Sequence, residues 1–147
     1  MEIAVLACGC FWGPEIKFDK LEGIYRTEVG YCGGNSSKTS YEEVCTGTTN
    51  HAEVVKLEFD PNKISYEKIL EFFFQILDPT TLNSQGPDFG TQYRSEIFYL
   101  NDNQKNIAEK ITKKINEKLS GKVVTKISLL KNYCTAGEYH QKYLDKN

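Results

Sequence analysis

A cysteine lies between two glycines in the stretch GCFWGPE, residues 9 to 15, directly after the apolar run IAVLAC. The run reads as a buried strand, and Pro14 suits the first turn of a helix reaching about Leu21. Cys10 therefore falls at the hinge between the two. A thiol at a helix N-terminus sees backbone N–H groups and the positive end of the dipole, which favour the nucleophilic thiolate. Gly9 and Gly13 are expected to let the backbone turn sharply and to leave the sulfur approachable. Phe11 and Trp12 can wall an apolar pocket beside it, the alternative being that both are core residues. Adjacent residues point in different directions, so lining one pocket requires a tight turn. The substrate implied is small and apolar, with an electrophilic centre.

Four further cysteines, Cys8, Cys32, Cys45 and Cys134, make the count odd, and no secretion signal accompanies them. That argues against a disulfide framework. No pair has C-x2-C spacing, and His51 and His140 are the only histidines, so no metal site is expected. Zinc held by Cys8, Cys10 and Cys32 is the nearest alternative. Cys8 and Cys45 read as small buried apolar residues. Cys10 with His51 or His140 could form the thiolate–imidazole pair of a cysteine hydrolase, and Cys10 could also serve a thiol sensor that oxidises without turnover.

The elements that must position Cys10 follow from the rest of the chain. Its 147 residues suit one domain, expected as a single catalytic domain over 1–147, and 39% hydrophobic with 12% aromatic content can build a core. A net charge of −2, with Lys110, Lys113 and Lys114 interrupted by apolar residues and flanked by Glu109 and Glu117, excludes nucleic-acid binding as the main task. No apolar run reaches transmembrane length and Met1 begins no signal segment, so a soluble, cytoplasmic protein without membrane partners is expected. IYRTEVGY and HAEVVKLEF read as strands, with CGGNSSKTS a loop between them. Ser65 can cap a helix through Leu77 with Ile69, Leu70, Phe72, Phe73 and Ile76 on its apolar face. DPTTLNSQGPDFGTQ reads as a long polar loop of the functional kind. After the strand RSEIFYL, Asp102 starts a helix with Ile107, Ile111, Ile115 and Leu119 on one stripe, stopped by Gly121. KISLL is a last strand before a short aromatic, polar segment. Strands and helices mixed over one small sheet predict a two-layer α+β sandwich.

The stretch GCFWG resembles the signature of peptide methionine sulfoxide reductases of the A type. So, in the same order, do GYCGG (30–34), SYEEVCTGTTNHAEVVKLEFDP (40–61), DFGTQYRSEIF (88–98) and EYHQKYL (138–144). The resemblance covers nearly the whole chain and implies a mixed sheet with a ferredoxin-like core. It also implies thiol-dependent reduction of methionine S-sulfoxide, free or in proteins, to methionine. Oxidised methionine is a lesion for which such enzymes are the reversal route. By this resemblance Cys10 is the nucleophile, Phe11 and Trp12 hold the methyl group, and Glu53 is the proton donor. Tyr41 and Tyr93 bind the sulfoxide oxygen, and Asp88 belongs to the substrate site. Attack on sulfur requires that oxygen to be protonated or strongly hydrogen-bonded, so Glu53 needs a raised pKa, which a desolvated site supplies.

Reduction would leave a sulfenic acid on Cys10, which a thiol must remove. Many relatives carry resolving cysteines in a Gly-rich C-terminal tail, whereas this sequence runs only three residues past Leu144. The role is expected to fall to Cys32 or Cys134, to another internal cysteine, or to an external thiol acting directly. No bound cofactor is expected, only an external thiol reductant such as thioredoxin or glutaredoxin.

Overall fold

The computed structural model describes residues 1–34, 51–85, 88–136 and 141. Tyr41, Cys45, His140 and most of the 138–144 block lie outside them. In chain order the elements are β1 (Glu2–Cys8), α1 (Trp12–Asp19), β2 (Ile24–Cys32), β3 (Ala52–Phe59) and α2 (Tyr66–Ile76). Then come β4 (Ser84–Gln85), β5 (Asp88–Phe89), a 3-10 turn (Thr91–Tyr93) and β6 (Ser95–Tyr99). α3 (Asp102–Lys118), β7 (Lys126–Leu129) and β8 (Cys134–Thr135) follow among the described residues.

Six strands form one mixed sheet in the order β7-β6-β1-β3-β2-β8. Among the described strands β6 and β7 run parallel, and the other neighbours in this sheet are antiparallel. Because successive strand residues point to opposite faces, β1 divides its apolar run between two cores. Ala4 and Leu6 join Phe18 of α1, Ile69 and Phe73 of α2 and Ile111 of α3 in the larger one. Val5 and Ala7 lie on the other face with Val54 and Phe98, covered by Leu130 and Tyr133. The three helices among the described residues thus pack on one face of the sheet, the two-layer α+β arrangement that the sequence predicts. From Ala4 to Cys8 β1 is apolar and buried on both faces.

Local chemistry sets the helix limits. Ser65 caps α2, its hydroxyl accepting the Lys68 N–H at 3.1 Å. α3 starts at Asp102, as expected, and Asn101 caps it by accepting the Gln104 N–H at 2.9 Å. Buried Gln104 in turn donates to the Ile3 carbonyl at 2.7 Å, tying α3 to β1. Gly121, at φ +79°, ends α3 by donating to the Asn116 carbonyl. The stripe is one residue shorter than predicted, since Leu119 follows the last turn and is 36% exposed.

Three other expectations are corrected. The polar loop 78–92 contains the β4–β5 hairpin and ends in the 3-10 turn, short pairings that no hydrophobic period could signal. The segment after β7 contributes an edge strand, β8, paired with β2. α1 starts at Trp12 rather than at Pro14, which places Gly13 inside the helix. Gly9 alone makes the turn: its φ is +89°, and a Cβ there would come within 2.8 Å of the Gln85 side chain. A Cβ on Gly13 would meet nothing within 4 Å. Gly13→Ala is therefore expected to raise stability by up to about 1 kcal/mol through helix propensity. Gly9→Ala is expected to lower it by about 1–2 kcal/mol. Urea unfolding of the two variants measures both.

Candidate active site

The site forms where β1 leaves the sheet. Gln85 packs against the Gly9 turn and is held by its own carboxamide, which donates to the Asp78 carbonyl at 2.6 Å and accepts the Asp78 N–H at 2.9 Å. The 78–85 loop therefore closes on the turn that presents Cys10. Cys10 is half-buried, and α1 begins two residues later. Phe11 is the N-cap residue, its carbonyl accepting the Glu15 N–H. Its own N–H donates to Glu53 Oε1 at 3.3 Å.

Glu53 is the central group. It lies on β3, is 1% exposed and faces the helix layer with Val55 and Leu57. Desolvation pushes its pKa up to about 8; the Phe11 N–H opposes the rise, and the charge of Asp88 reinforces it. Oε2 has no hydrogen-bond partner among the described residues. The carboxyl is thus largely protonated at neutral pH, with one oxygen fixed beside the cysteine hinge and the other available. That combination suits a general acid.

Tyr31 lies directly opposite Glu53 across the β2–β3 ladder, and its ring centroid is 5.6 Å from that of Phe11. Phe11 is 1% exposed and belongs to the main core, whereas Trp12 is only partly buried against it. Both aromatics flank the amino end of α1, but only Trp12 retains exposed surface of any extent. Tyr93, also half-buried, ends the 3-10 turn, which packs between β3 and β5. That turn is fixed by Arg94, which donates to the Thr91 carbonyl at 2.8 Å and pairs with buried Glu96 at 2.7 Å. Asp88, on β5, is close enough for its charge to act on Glu53. The structure thus brings Cys10, Phe11, Trp12, Glu53, Tyr93 and Asp88 to one end of the sheet; Tyr41 lies outside the described residues.

The other thiols differ in accessibility and in face. Cys8 is pushed up to about 12, first by burial, with Lys17 opposing and Cys10 adding. Cys32 is pushed up to about 11, again by burial, and its Sγ–H donates to the Lys131 carbonyl at 3.2 Å. Cys8 and Cys32 belong to cores on opposite faces of the sheet, which separates two ligands of the alternative zinc site. His51 is 1% exposed and packs so tightly on Gly34 that a Cβ there would overlap its ring. Cys134 is half-buried on β8. Tyr31, Gln85 and Arg94 escaped the sequence reading. Tyr31 was visible as a strand residue, but its position opposite Glu53 depends on register.

A family model for peptide methionine sulfoxide reductase matches residues 2–147. A peptide methionine sulfoxide reductase MsrA of Pelagibacter ubique is 77% identical over 146 residues, covering 99% of each chain. The crystal structure of Mxr1 from Saccharomyces cerevisiae in reduced form aligns with a TM-score of 0.95 at 44% identity, covering 99% of this chain and 85% of that one. Mxr1 in complex with Trx2 aligns with a TM-score of 0.69 at 28% identity, covering 97% and 84%. The chain belongs to the peptide methionine sulfoxide reductase family, a class of oxidoreductases.

Burial of Glu53 has a measurable consequence. Its pKa in the folded protein lies above the ordinary 4.5, so the folded state holds the proton more tightly than the unfolded chain. The contribution to stability is complete below about pH 4.5 and is lost as pH rises through about 8. Glu53→Gln is expected to flatten this decline, leaving the variant more stable than the parent at pH 9 by a few kcal/mol. Thermal or urea unfolding across pH 4 to 9 reads it.

Proposed function

We propose that the chain reduces methionine S-sulfoxide, free or in oxidised proteins, to methionine, with Cys10 as nucleophile and Glu53 as acid. The observation that carries the reading is the buried, neutral Glu53 carboxyl bonded to the backbone N–H that follows Cys10. The Cys10 thiolate, favoured by the amino end of α1, attacks the sulfoxide sulfur as Glu53 delivers its proton to the oxygen. The bond between the two sulfurs then breaks as the hydroxyl passes from the substrate sulfur to Cys10, leaving a sulfenic acid on Cys10, a thioether product and an ionised Glu53. Two electrons move from the cysteine sulfur to the substrate sulfur.

Tyr93 and Tyr41 are assigned to the sulfoxide oxygen, Phe11 and Trp12 to the methyl group, and Asp88 to the substrate site. Asp88 also helps keep Glu53 protonated. The four strands ordered β6-β1-β3-β2, with α1 and α2 between them in sequence, support a ferredoxin-like core. Residues 1–147 are read as one catalytic domain, and match the family model from residue 2 onward. Thioredoxin or glutaredoxin is the proposed reductant; the Mxr1–Trx2 complex supports a thioredoxin. The cytoplasm, where such reductants keep thiols reduced, is the proposed location. Among the described residues no helix is long and apolar enough to cross a membrane.

Turnover of the separate S and R epimers with dithiothreitol tests the reading. Only the S epimer is expected to react, and Cys10→Ser is expected to abolish the reaction. Glu53→Gln is expected to lower the rate by about 10²-fold or more and to remove an alkaline decline centred near pH 8. A greater loss from His51→Ala than from Glu53→Gln would instead favour a hydrolase, and an inactive parent a thiol sensor.

A further inference from the structure

We propose that Cys134, and not Cys32, is the thiol that captures the sulfenic acid on Cys10; the inference rests on the reductase reading above. Strand alternation separates the two candidates. Cys134 lies directly opposite Tyr31 in the β2–β8 ladder, and Tyr31 lies directly opposite Glu53 in the β2–β3 ladder. Directly opposed residues project from the same face of a sheet. Glu53, Tyr31 and Cys134 therefore form a row across three strands on the helix-bearing face. Phe11 lies over that row, with its N–H on Glu53 and its ring beside Tyr31.

The residues around Cys134 confirm its face. Tyr133 packs in the smaller core on the far side, and Ala136 packs in the main core. On the far side the Tyr133 hydroxyl and the Thr135 hydroxyl both donate to Glu28 Oε2. Glu28 thus grips both neighbours of Cys134 and leaves its side chain directed to the near face. Cys32, one residue after Tyr31, points the other way. It is 0% exposed among Val5, Ala7 and Phe98, and its sulfur is bonded to the Lys131 carbonyl. To reach Cys10 it would have to cross the sheet.

Face, not reach, favours Cys134, and its reach requires β8 to move. Strands are spaced about 4.8 Å apart, which sets Cys134 roughly 10 Å from the Glu53 backbone. A disulfide needs Cα atoms about 5.5 Å apart, so β8 must shift inward over the site. β8 is two residues long and, among the described strands, pairs with β2 alone at the sheet edge, so the shift must release that short ladder and the Glu28 contacts of Tyr133 and Thr135. In the reaction, the Cys134 sulfur bonds to the Cys10 sulfur as the S–OH bond breaks. The hydroxyl leaves with the thiol proton as water, and the external dithiol later reduces the disulfide.

The test uses the parent, Cys134→Ser and Cys32→Ala. Dithiothreitol-driven turnover by the parent comes first, since its absence defeats the reductase reading itself. With turnover established, each protein is reduced, freed of reductant and given one equivalent of S-sulfoxide. The parent is expected to lose about 2 Da relative to its reduced form, with a Cys10–Cys134 disulfide in its peptide map. Cys134→Ser is expected to hold a Cys10 sulfenic acid that dimedone traps. Its ratio of thioredoxin-driven to dithiothreitol-driven turnover is expected to fall by more than about tenfold. Cys32→Ala is expected to match the parent; if it does not fold, the parent's peptide map decides alone. A disulfide from Cys10 to Cys32 or Cys45, no disulfide in the parent, or an unchanged ratio in Cys134→Ser would overturn the proposal.

Discussion

The bond from the Phe11 N–H to Glu53 joins the two halves of the site, one on the turn leaving β1 and the other in the middle of a sheet. A buried carboxyl would ordinarily be a liability, because removing its charge from water is costly. Here the cost is avoided by keeping it neutral, and one backbone donor fixes its orientation without supplying the positive charge that would ionise it. A lysine or arginine in that place would have lowered the pKa and removed the acid. The same hydrogen bond aligns the first residue after Cys10 with the carboxyl, so the position of the sulfur and the position of the proton are not independent.

Around that bond the supporting contacts are polar and come from segments without regular hydrophobic patterning. Gln85 packs against the Gly9 turn and is itself anchored to Asp78. Arg94 holds the turn that carries Tyr93, and its partner Glu96 also accepts a hydrogen bond from Ser128 on β7. Replacing a buried pair of this kind with apolar residues often costs nothing in stability, so its value here lies in orienting the turn. The apolar cores make the sheet rigid, and these polar ties decide where its loops project.

The sheet also sorts the thiols. Cys8 and Cys32 are sealed in opposite cores, where burial keeps both protonated and unreactive. Cys10 and Cys134 both keep partial exposure, at a turn and at a sheet edge. A chain with five cysteines can run thiol chemistry at one of them only if the others are withheld or placed where the chemistry needs them.

Much of this was legible in the sequence. The apolar run of β1, the cap at Ser65, the face of α2 and the hinge at Cys10 are local matters of period, capping and turn chemistry, and each lies where those rules put it. The resemblance in five ordered blocks brought Glu53, Tyr93 and Asp88 forward, residues that no local pattern singles out. What only the tertiary structure decided is register and face. That Tyr31 meets Glu53, that Cys134 shares their side and that Cys32 does not, all follow from pairings between β2 and strands that follow it in the chain. A slip of one residue would invert every such assignment, and nothing within a single strand encodes it. The raised pKa of Glu53 belongs to the same class: a glutamate on a strand is usually solvated, and only the helices packed over that face made this one dry.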